Sequence, residues 1–353
     1  MTPSESFPDV HQAVTAQVVP APNGAGRPAK RVRTVLGFMV KLGAGLLLVG
    51  FLLWHYHLRS SFRLIGRERA SWFAATVALY VAGQVMSAWR WQLLGRLNGF
   101  SNRWLDYLAY YFIGMFTNLF VPGLVGGDAL RALYLGRRQQ RLAPSFASVI
   151  ADRGIGLLTL FWLAAVAALC TTSVRLPASI LRVALAAGGI SLLVFLAAPP
   201  LAKSLSQTKR LSRLLVPLLP YLSRPLALTP AIALSAILQL SLAVCQYLLA
   251  IGLGLDIAVG TFVLIVPLAN VVASLPVTIN GLGMRDASYL VLLGIAGVSK
   301  EEAVALSLLY FAATLAGGFT GILAFVVTPV PRPADQPAAS SSPETPLSRQ
   351  AAG

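Results

Sequence analysis

The chain carries only 12 acidic residues among 353, so each carboxylate can be weighed singly. Five lie in or at the edge of apolar runs: Asp106, Asp128, Asp152, Asp256 and Asp286. Three of these have an arginine close by in the chain. Arg131 follows Asp128 by one helical turn, Arg153 follows Asp152 directly, and Arg285 directly precedes Asp286. An ionised side chain at the centre of a bilayer costs about 2.5–3.5 kcal/mol even on insertion scales, so it turns toward a cavity and a partner. Guanidinium groups offer bidentate donors to a phosphate, and the acids beside them balance charge or meet a cationic headgroup. Gly126-Gly127-Asp128 also reads as the cap of a helix, and a helix N-terminus supplies N–H groups that suit an anion. Arg153 has a second reading, in which it only neutralises Asp152.

Other chemistries lack their parts. Cys170 and Cys245 both fall inside apolar runs and form no CxxC, so they read as small buried hydrophobes. His55 and His57 flank Tyr56 with no third histidine near, and His11 lies in the N-terminal tail, so no metal site is expected. No GxxxxGK[ST] sequence occurs, and the acids are too dispersed for a paired-Asp metal site. No cofactor is expected. Trp89-Arg90-Trp91 stands at the end of an apolar run and reads as an interface anchor, as do Trp54, Tyr56, Trp72 and Trp104.

The elements that must position these residues follow from composition. Charged residues make up 11% and AVILMFWYC residues 56%, with a mean hydropathy of +0.73. A soluble domain carries roughly a quarter charged residues, so the chain reads as a polytopic helical membrane protein. The net charge of +16 falls in short loops between apolar runs, where anionic lipid headgroups rather than nucleic acid are the counter-charge. Six runs read as full spans: 35–54, 72–90, 147–170, 180–199, 230–253 and 303–328. Residues 1–34 and 329–353 read as disordered tails, with a membrane domain over 35–328 and no soluble catalytic domain at either end. Leu211–Leu222 reads as an interfacial lid or elbow.

Two further apolar stretches are interrupted. One runs from Asp106 and breaks at Pro122-Gly123-Leu124-Val125-Gly126-Gly127-Asp128; the other breaks at Asn280-Gly281-Leu282-Gly283 and resumes at Ala287. Glycine and proline at this density stop a helix, and freed backbone groups in a bilayer must face protein or a watery cavity. Both read as re-entrant or broken-helix segments. Arg27, Lys30, Arg31 and Arg33 place the N-terminus in the cytoplasm. Arg90, Arg96 and Arg103 with Arg131, Arg137, Arg138 and Arg141 then share that side only if 106–124 enters and leaves on it. The C-terminus also falls in the cytoplasm. The 55–71 loop, with Arg59, Arg63, Arg67 and Arg69, goes outside against the rule.

This scheme contains an inverted repeat: span 72–90, hairpin 106–124 and span 147–170 against span 230–253, hairpin 257–297 and span 303–328. The breaks correspond. Asn118, Pro122, Gly126, Gly127, Asp128 and Arg131 mark the first; Asn270, Pro276, Asn280, Gly281, Gly283, Arg285 and Asp286 mark the second. Paired, Gly/Pro-interrupted segments in two halves point to a transporter's substrate site. The alternative is a pair of ordinary helix-loop-helix turns with cap residues.

The pattern Asn118…Pro122…Gly126-Gly127-Asp128…Arg131, then Asp152-Arg153-Gly154, then Pro276…Asn280-Gly281-Leu282-Gly283…Arg285-Asp286 resembles the lysylphosphatidylglycerol synthase transmembrane-region family. This is the flippase-like membrane domain of the bacterial multiple peptide resistance factor. In the second motif Ile279 and Asn280 stand where that family commonly has Pro and the first Gly, and Asp286 stands for Glu. The resemblance implies a bacterial inner-membrane lipid translocator of aminoacylated phosphatidylglycerol, another phospholipid or a lipid-linked intermediate. It does not carry over the synthase activity, which belongs to a separate soluble domain. The expected substrate-binding set is Asn118, Pro122, Gly126, Gly127, Asp128, Arg131, Asp152, Arg153, Asn270, Pro276, Asn280, Gly281, Gly283, Arg285 and Asp286. The expected partner is a membrane lipid. A lipid-modifying transferase is a weaker reading, because the longest loop, about 200–229, contains no acid. The main competing reading is a non-transporting scaffold or regulator, whose partner is an envelope enzyme. Oligomeric state is not readable from the sequence.

Overall fold

The computed structural model describes residues 65–66, 69–120, 125–171, 174–206, 216–274 and 284–328. The tails and the expected span at 35–54 lie outside the described residues. Every regular element within them is helical: α1 (Ala70–Leu97), α2 (Trp104–Phe120), α3 (Val125–Arg138), α4 (Leu142–Cys170), α5 (Ala178–Ser206), α6 (Leu219–Ser223), α7 (Thr229–Gly252), α8 (Val259–Ala273), α9 (Met284–Ile295), α10 (Lys300–Phe319) and α11 (Gly321–Val327). Five stretches of 27 to 29 residues, Ala70–Leu97, Leu142–Cys170, Ala178–Ser204, Pro225–Gly252 and Lys300–Val327, are long and apolar enough to cross a membrane. At 1.5 Å per residue each reaches about 40 Å, against roughly 30 Å of hydrocarbon. These are five of the six expected spans, and the chain is a polytopic helical bundle. The last is jointed: α10 ends and α11 begins around Thr320.

Local chemistry explains where helices start and stop. Ser299 and Glu302 form a reciprocal capping box at α10, with the Ser299 hydroxyl accepting from the Glu302 N–H at 3.3 Å and the Glu302 carboxylate accepting from the Ser299 N–H at 3.0 Å. Thr229-Pro230 opens α7 with proline where its missing N–H leaves no gap. At the far end of α1, Gly99 adopts φ 77°, and Phe100 N–H reaches back to the Gly95 carbonyl at 3.1 Å. Glycine tolerates that left-handed turn without Cβ strain.

The two interrupted stretches are each a pair of short helices. In the first, α2 and α3 run antiparallel and approach so closely that a Cβ on Gly114 would meet the Gly127 carbonyl oxygen at 2.8 Å. Asn118 ties the pair together, its side-chain oxygen accepting from the Gly127 N–H at 2.8 Å. The second pair is α8 and α9. Neither α2, with 17 residues, nor α8, with 15, has the length of the five long stretches.

α1 and α7 pack antiparallel along most of their length. Thr76 Oγ1 donates to the Cys245 carbonyl at 3.4 Å near one end, and Arg90 Nη1 donates to Ser235 Oγ at 3.0 Å near the other. A Cβ on Gly83 would touch Leu238 Cδ1 between them. The elbow expected at 211–222 is described from Val216 onward and docks on the end of α1. Tyr221 is buried, donates to the Leu94 carbonyl at 2.9 Å and accepts from Asn98 Nδ2 at 2.9 Å. Burial pushes its phenol above the usual value, so it keeps the proton it donates. Of the two cysteines, Cys245 is buried and Cys170, at the end of α4, is exposed, which corrects the reading of both as buried.

Candidate functional site

The first interrupted pair brings Asp128 and Arg131 against the long helices α1 and α4. Asp152 sits in the interior of α4, fully buried. Its Oδ1 accepts from Arg90 Nε at 2.8 Å and its Oδ2 from Arg131 Nη2 at 3.0 Å. Arg90 also donates to Ser235 on α7, so one carboxylate and one guanidinium join α1, α3, α4 and α7. Arg153 turns away from Asp152 and grips Asp128 with two bonds, Nε to Oδ2 at 2.6 Å and Nη2 to Oδ1 at 3.0 Å. Arg131 Nε lies 3.2 Å from Asp128 Oδ1, close enough for an ion pair.

Three sequence expectations are corrected by this geometry. Asp152 and Arg153 are not partners, because neighbours on a helix point about 100° apart; each finds its counter-charge on another helix. Arg90 and Trp91 are not interface anchors. Arg90 is 6% exposed and Trp91 fully buried, whereas Trp89 is 49% exposed, so only the first residue of that triplet faces outward. Asp128 is not a helix cap either. It lies in the first turn of α3, where the positive end of the helix dipole favours a carboxylate. The Gly127 N–H, which would be free to hold an anion, is already taken by Asn118.

The centre contains three guanidinium groups, Arg90, Arg131 and Arg153, and two carboxylates, Asp128 and Asp152. Its formal charge is therefore one positive unit. Arg131 is 2% exposed, and its Nη1 has no hydrogen-bond partner among the described residues. Its guanidinium lies 5.0 Å from the ring centroids of both Trp91 and Tyr111, a sandwich that holds the cation by its faces and leaves an N–H edge unused. Trp91 is itself fixed: its Nε1 donates to Ser148 Oγ at 3.0 Å, and its ring meets Tyr107 edge-on with centroids 4.8 Å apart. Arg153 is the exposed member, 48% by its side chain, and marks the side on which the centre opens.

The second pair builds a different neighbourhood. Arg285, in the first turn of α9, stacks on Tyr310 of α10 at 5.1 Å, with buried Tyr289 one turn along its own helix. Asn270 stands in the last turn of α8, its carbonyl accepting from Ser274 N–H at 2.9 Å, as Asn118 stands near the end of α2. Asp286 falls within α9, with its side chain outside the described residues. Pro122, Pro276, Asn280, Gly281 and Gly283 also lie outside them. Gly126 is half-buried in the first turn of α3. The expected set is thus divided. Asp128, Arg131, Asp152 and Arg153 form one centre with Asn118 and Gly127 beside it, whereas Arg285 belongs to the tyrosine-lined second. Of the remaining acids, Asp106 accepts from the Arg103 N–H at 3.2 Å and serves the local turn.

Residues 38–321 match the family described as Lysylphosphatidylglycerol synthase TM region. The chain belongs to that family. Comparison with curated proteins and with solved structures found no match. The lysylphosphatidylglycerol synthase TM-region match spans α1 to α10 and stops at the first residue of α11, so both arginine neighbourhoods fall within it. Arg90 and Ser235 escaped the reading of the sequence because nothing local separates a buried arginine near a span end from an anchoring one. The available signal was an accounting one: Asp152 lies too deep in a span to be left with a partner that helix geometry turns aside.

Proposed function

We propose that this chain is a lipid translocator of the inner membrane, moving a phospholipid, an aminoacylated phospholipid or another lipid-linked intermediate between leaflets. The observation that carries this reading is the buried five-residue centre of Arg90, Arg131, Arg153, Asp128 and Asp152. A bundle that only anchored something else would gain nothing from it, since apolar side chains of similar volume pack as well or better than buried ion pairs, by about 1–4 kcal/mol. The surplus positive charge and the open edge of Arg131 suit a headgroup phosphate, and the exposed Arg153 side gives the approach. Aromatic faces beside the cation exclude water and hold the guanidinium flat. Nothing in the scheme breaks or makes a covalent bond; the chain binds, shields and releases.

The order and packing of the helices support the reading and, with it, an inverted repeat. α1 and α7 are the first spans of the two halves; they pack antiparallel, and each is followed by a pair of short helices and a long span. Two halves of opposite sense, each with a Gly/Pro-interrupted segment in its sequence, suit alternating access.

The test is a proteoliposome assay with headgroup-labelled phosphatidylglycerol and an impermeant quencher. Wild-type protein exposes inner-leaflet label. Arg131→Ala, Arg153→Ala and Arg285→Ala together abolish that exposure while the protein still elutes as a single folded species. Unchanged movement in this triple variant overturns the site. The competing scaffold reading predicts full protection with wild-type protein and stable co-purification with an envelope enzyme.

A further inference from the structure

Arg131 and Arg285 each follow one of the two interrupted points, and each lies over an aromatic ring, Tyr111 at 5.0 Å and Tyr310 at 5.1 Å. Tyr80 of α1 lies near both of these tyrosines. Its ring packs on α10 at Gly317, where an added Cβ would collide with it. Gly317 lies two turns from Tyr310, on the same face of α10. Cys245 of α7 is an electrostatic neighbour of both Tyr80 and Tyr310, and its carbonyl accepts from Thr76, one turn before Tyr80. Tyr111 and Arg285 are also electrostatic neighbours of Tyr80. Three helices, α1, α2 and α10, therefore put phenols in one row that starts at Arg131 and ends at Arg285.

The distance to be covered gives this row its meaning. Arg90 marks the level of the first centre on α1, and Tyr80 stands ten residues earlier, about 15 Å away along the helix. That is half of the roughly 30 Å hydrocarbon layer. An anionic group leaving Arg131 would otherwise cross it against apolar packing. Phenylalanine would fill the same volume without a hydroxyl to donate. A phenol O–H is uncharged and donates a hydrogen bond. It can therefore hold an anion briefly without trapping it as a third arginine would.

We propose that Tyr111, Tyr80 and Tyr310 are positioning residues of the transfer step, a row of neutral hydroxyls over which an anionic headgroup passes from the Arg131 station to the Arg285 station. This deepens the translocation reading and rests on it. The test uses the full chain, with Tyr80→Phe and Tyr111→Phe made singly and together. Movement of headgroup-labelled phosphatidylglycerol is read in proteoliposomes, and thermal stabilisation by short-chain dihexanoylphosphatidylglycerol is read in detergent. Each substitution slows movement about tenfold, the equivalent of one lost hydrogen bond, and the pair slows it further. Stabilisation by the short-chain lipid, which needs only the Arg131 station, stays within about twofold of wild type for Tyr80→Phe; Tyr111 lies on Arg131 itself, so its variant is read by movement alone. Phe variants that move lipid at the wild-type rate overturn the proposal. So does a Tyr80→Phe variant that loses short-chain binding in step with movement, since that places Tyr80 within the Arg131 station. A wild-type protein that moves no lipid overturns the translocation reading, and the row with it; an active wild type with unaffected Phe variants overturns the row alone.

Discussion

The charged centre is held by exchanged partners, and this sets what single substitutions do. Asp152 is buried and serves Arg90 and Arg131 together. Asp152→Asn keeps the shape but leaves two buried guanidinium groups without their shared counter-charge. Breaking a buried pair by removing one member costs about 3–5 kcal/mol, so this variant unfolds at clearly lower temperature in a fluorescence-detected thermal assay. Asp128→Asn is the contrast. Its main partner Arg153 is 48% exposed and can turn to water or lipid headgroups, so its loss of stability is several-fold smaller. Equal losses in the two variants would mean that the partners are not as described. Asp128, Arg131, Asp152 and Arg153 were all legible in the sequence as charges too deep to be idle. Their pairing was not, because chain order places Arg153 beside Asp152 while the 100° step of a helix separates them. Arg90 was hidden for the converse reason: its true surroundings, Asp152 and Ser235, are far away in the chain.

Among the elements, the close approach of α2 and α3 depends on glycine at one crossing. A Cβ on Gly127 would collide with the Gly114 carbonyl oxygen and would meet Asn118 Oδ1 at 2.6 Å. Backbone cannot yield as a flexible side chain can, so Gly127→Ala forces the two helices apart and disturbs the Asn118 tie. The expected loss is about 1–3 kcal/mol, typical of overpacking, read as a lower melting temperature together with weaker lipid movement. Gly154→Ala on α4 is the control: nothing lies within 4 Å of its added Cβ, and alanine improves helix propensity by up to about 1 kcal/mol, so it melts no lower than wild type. A Gly127→Ala protein as stable as wild type would show that α2 and α3 do not meet there. The interruptions were plain in the sequence because Pro and Gly stop helices through backbone terms that need no tertiary context. The joint near Thr320 and the docking of Tyr221 on the end of α1 were not. Both depend on contacts with α1, α2 and α4 that no local pattern records.

For the molecule as a whole, helix directions sort the charges. The antiparallel packing of α1 on α4 and α7, and of α4 on α5, gathers Arg96, Arg103, Arg137, Arg138, Arg141, Lys203 and Arg224 at one end with the single acid Asp106, among the described residues. The other end holds Arg69, Arg175, Arg182 and Lys300 against Asp256, Glu301 and Glu302. Basic residues near an anionic leaflet are worth about 1 kcal/mol each, so the charge difference predicts an orientation in which the first end faces the cytoplasm. The expected span at 35–54 and most of the 55–71 loop lie outside the described residues; counted from the sequence, that loop brings Arg59, Arg63, Arg67 and Arg69 against Glu68, which still leaves its end less basic than the first. Cys170 provides the readout, being exposed at the end of α4 away from the basic end, while Cys245 is buried. In intact spheroplasts a membrane-impermeant maleimide labels the wild-type protein, and Cys170→Ser abolishes the labelling. A cysteine placed at Arg137, near the basic end, in the Cys170→Ser background reacts only in inverted vesicles. The opposite pattern would turn the bundle over, and with it the leaflet from which a headgroup first reaches Arg131.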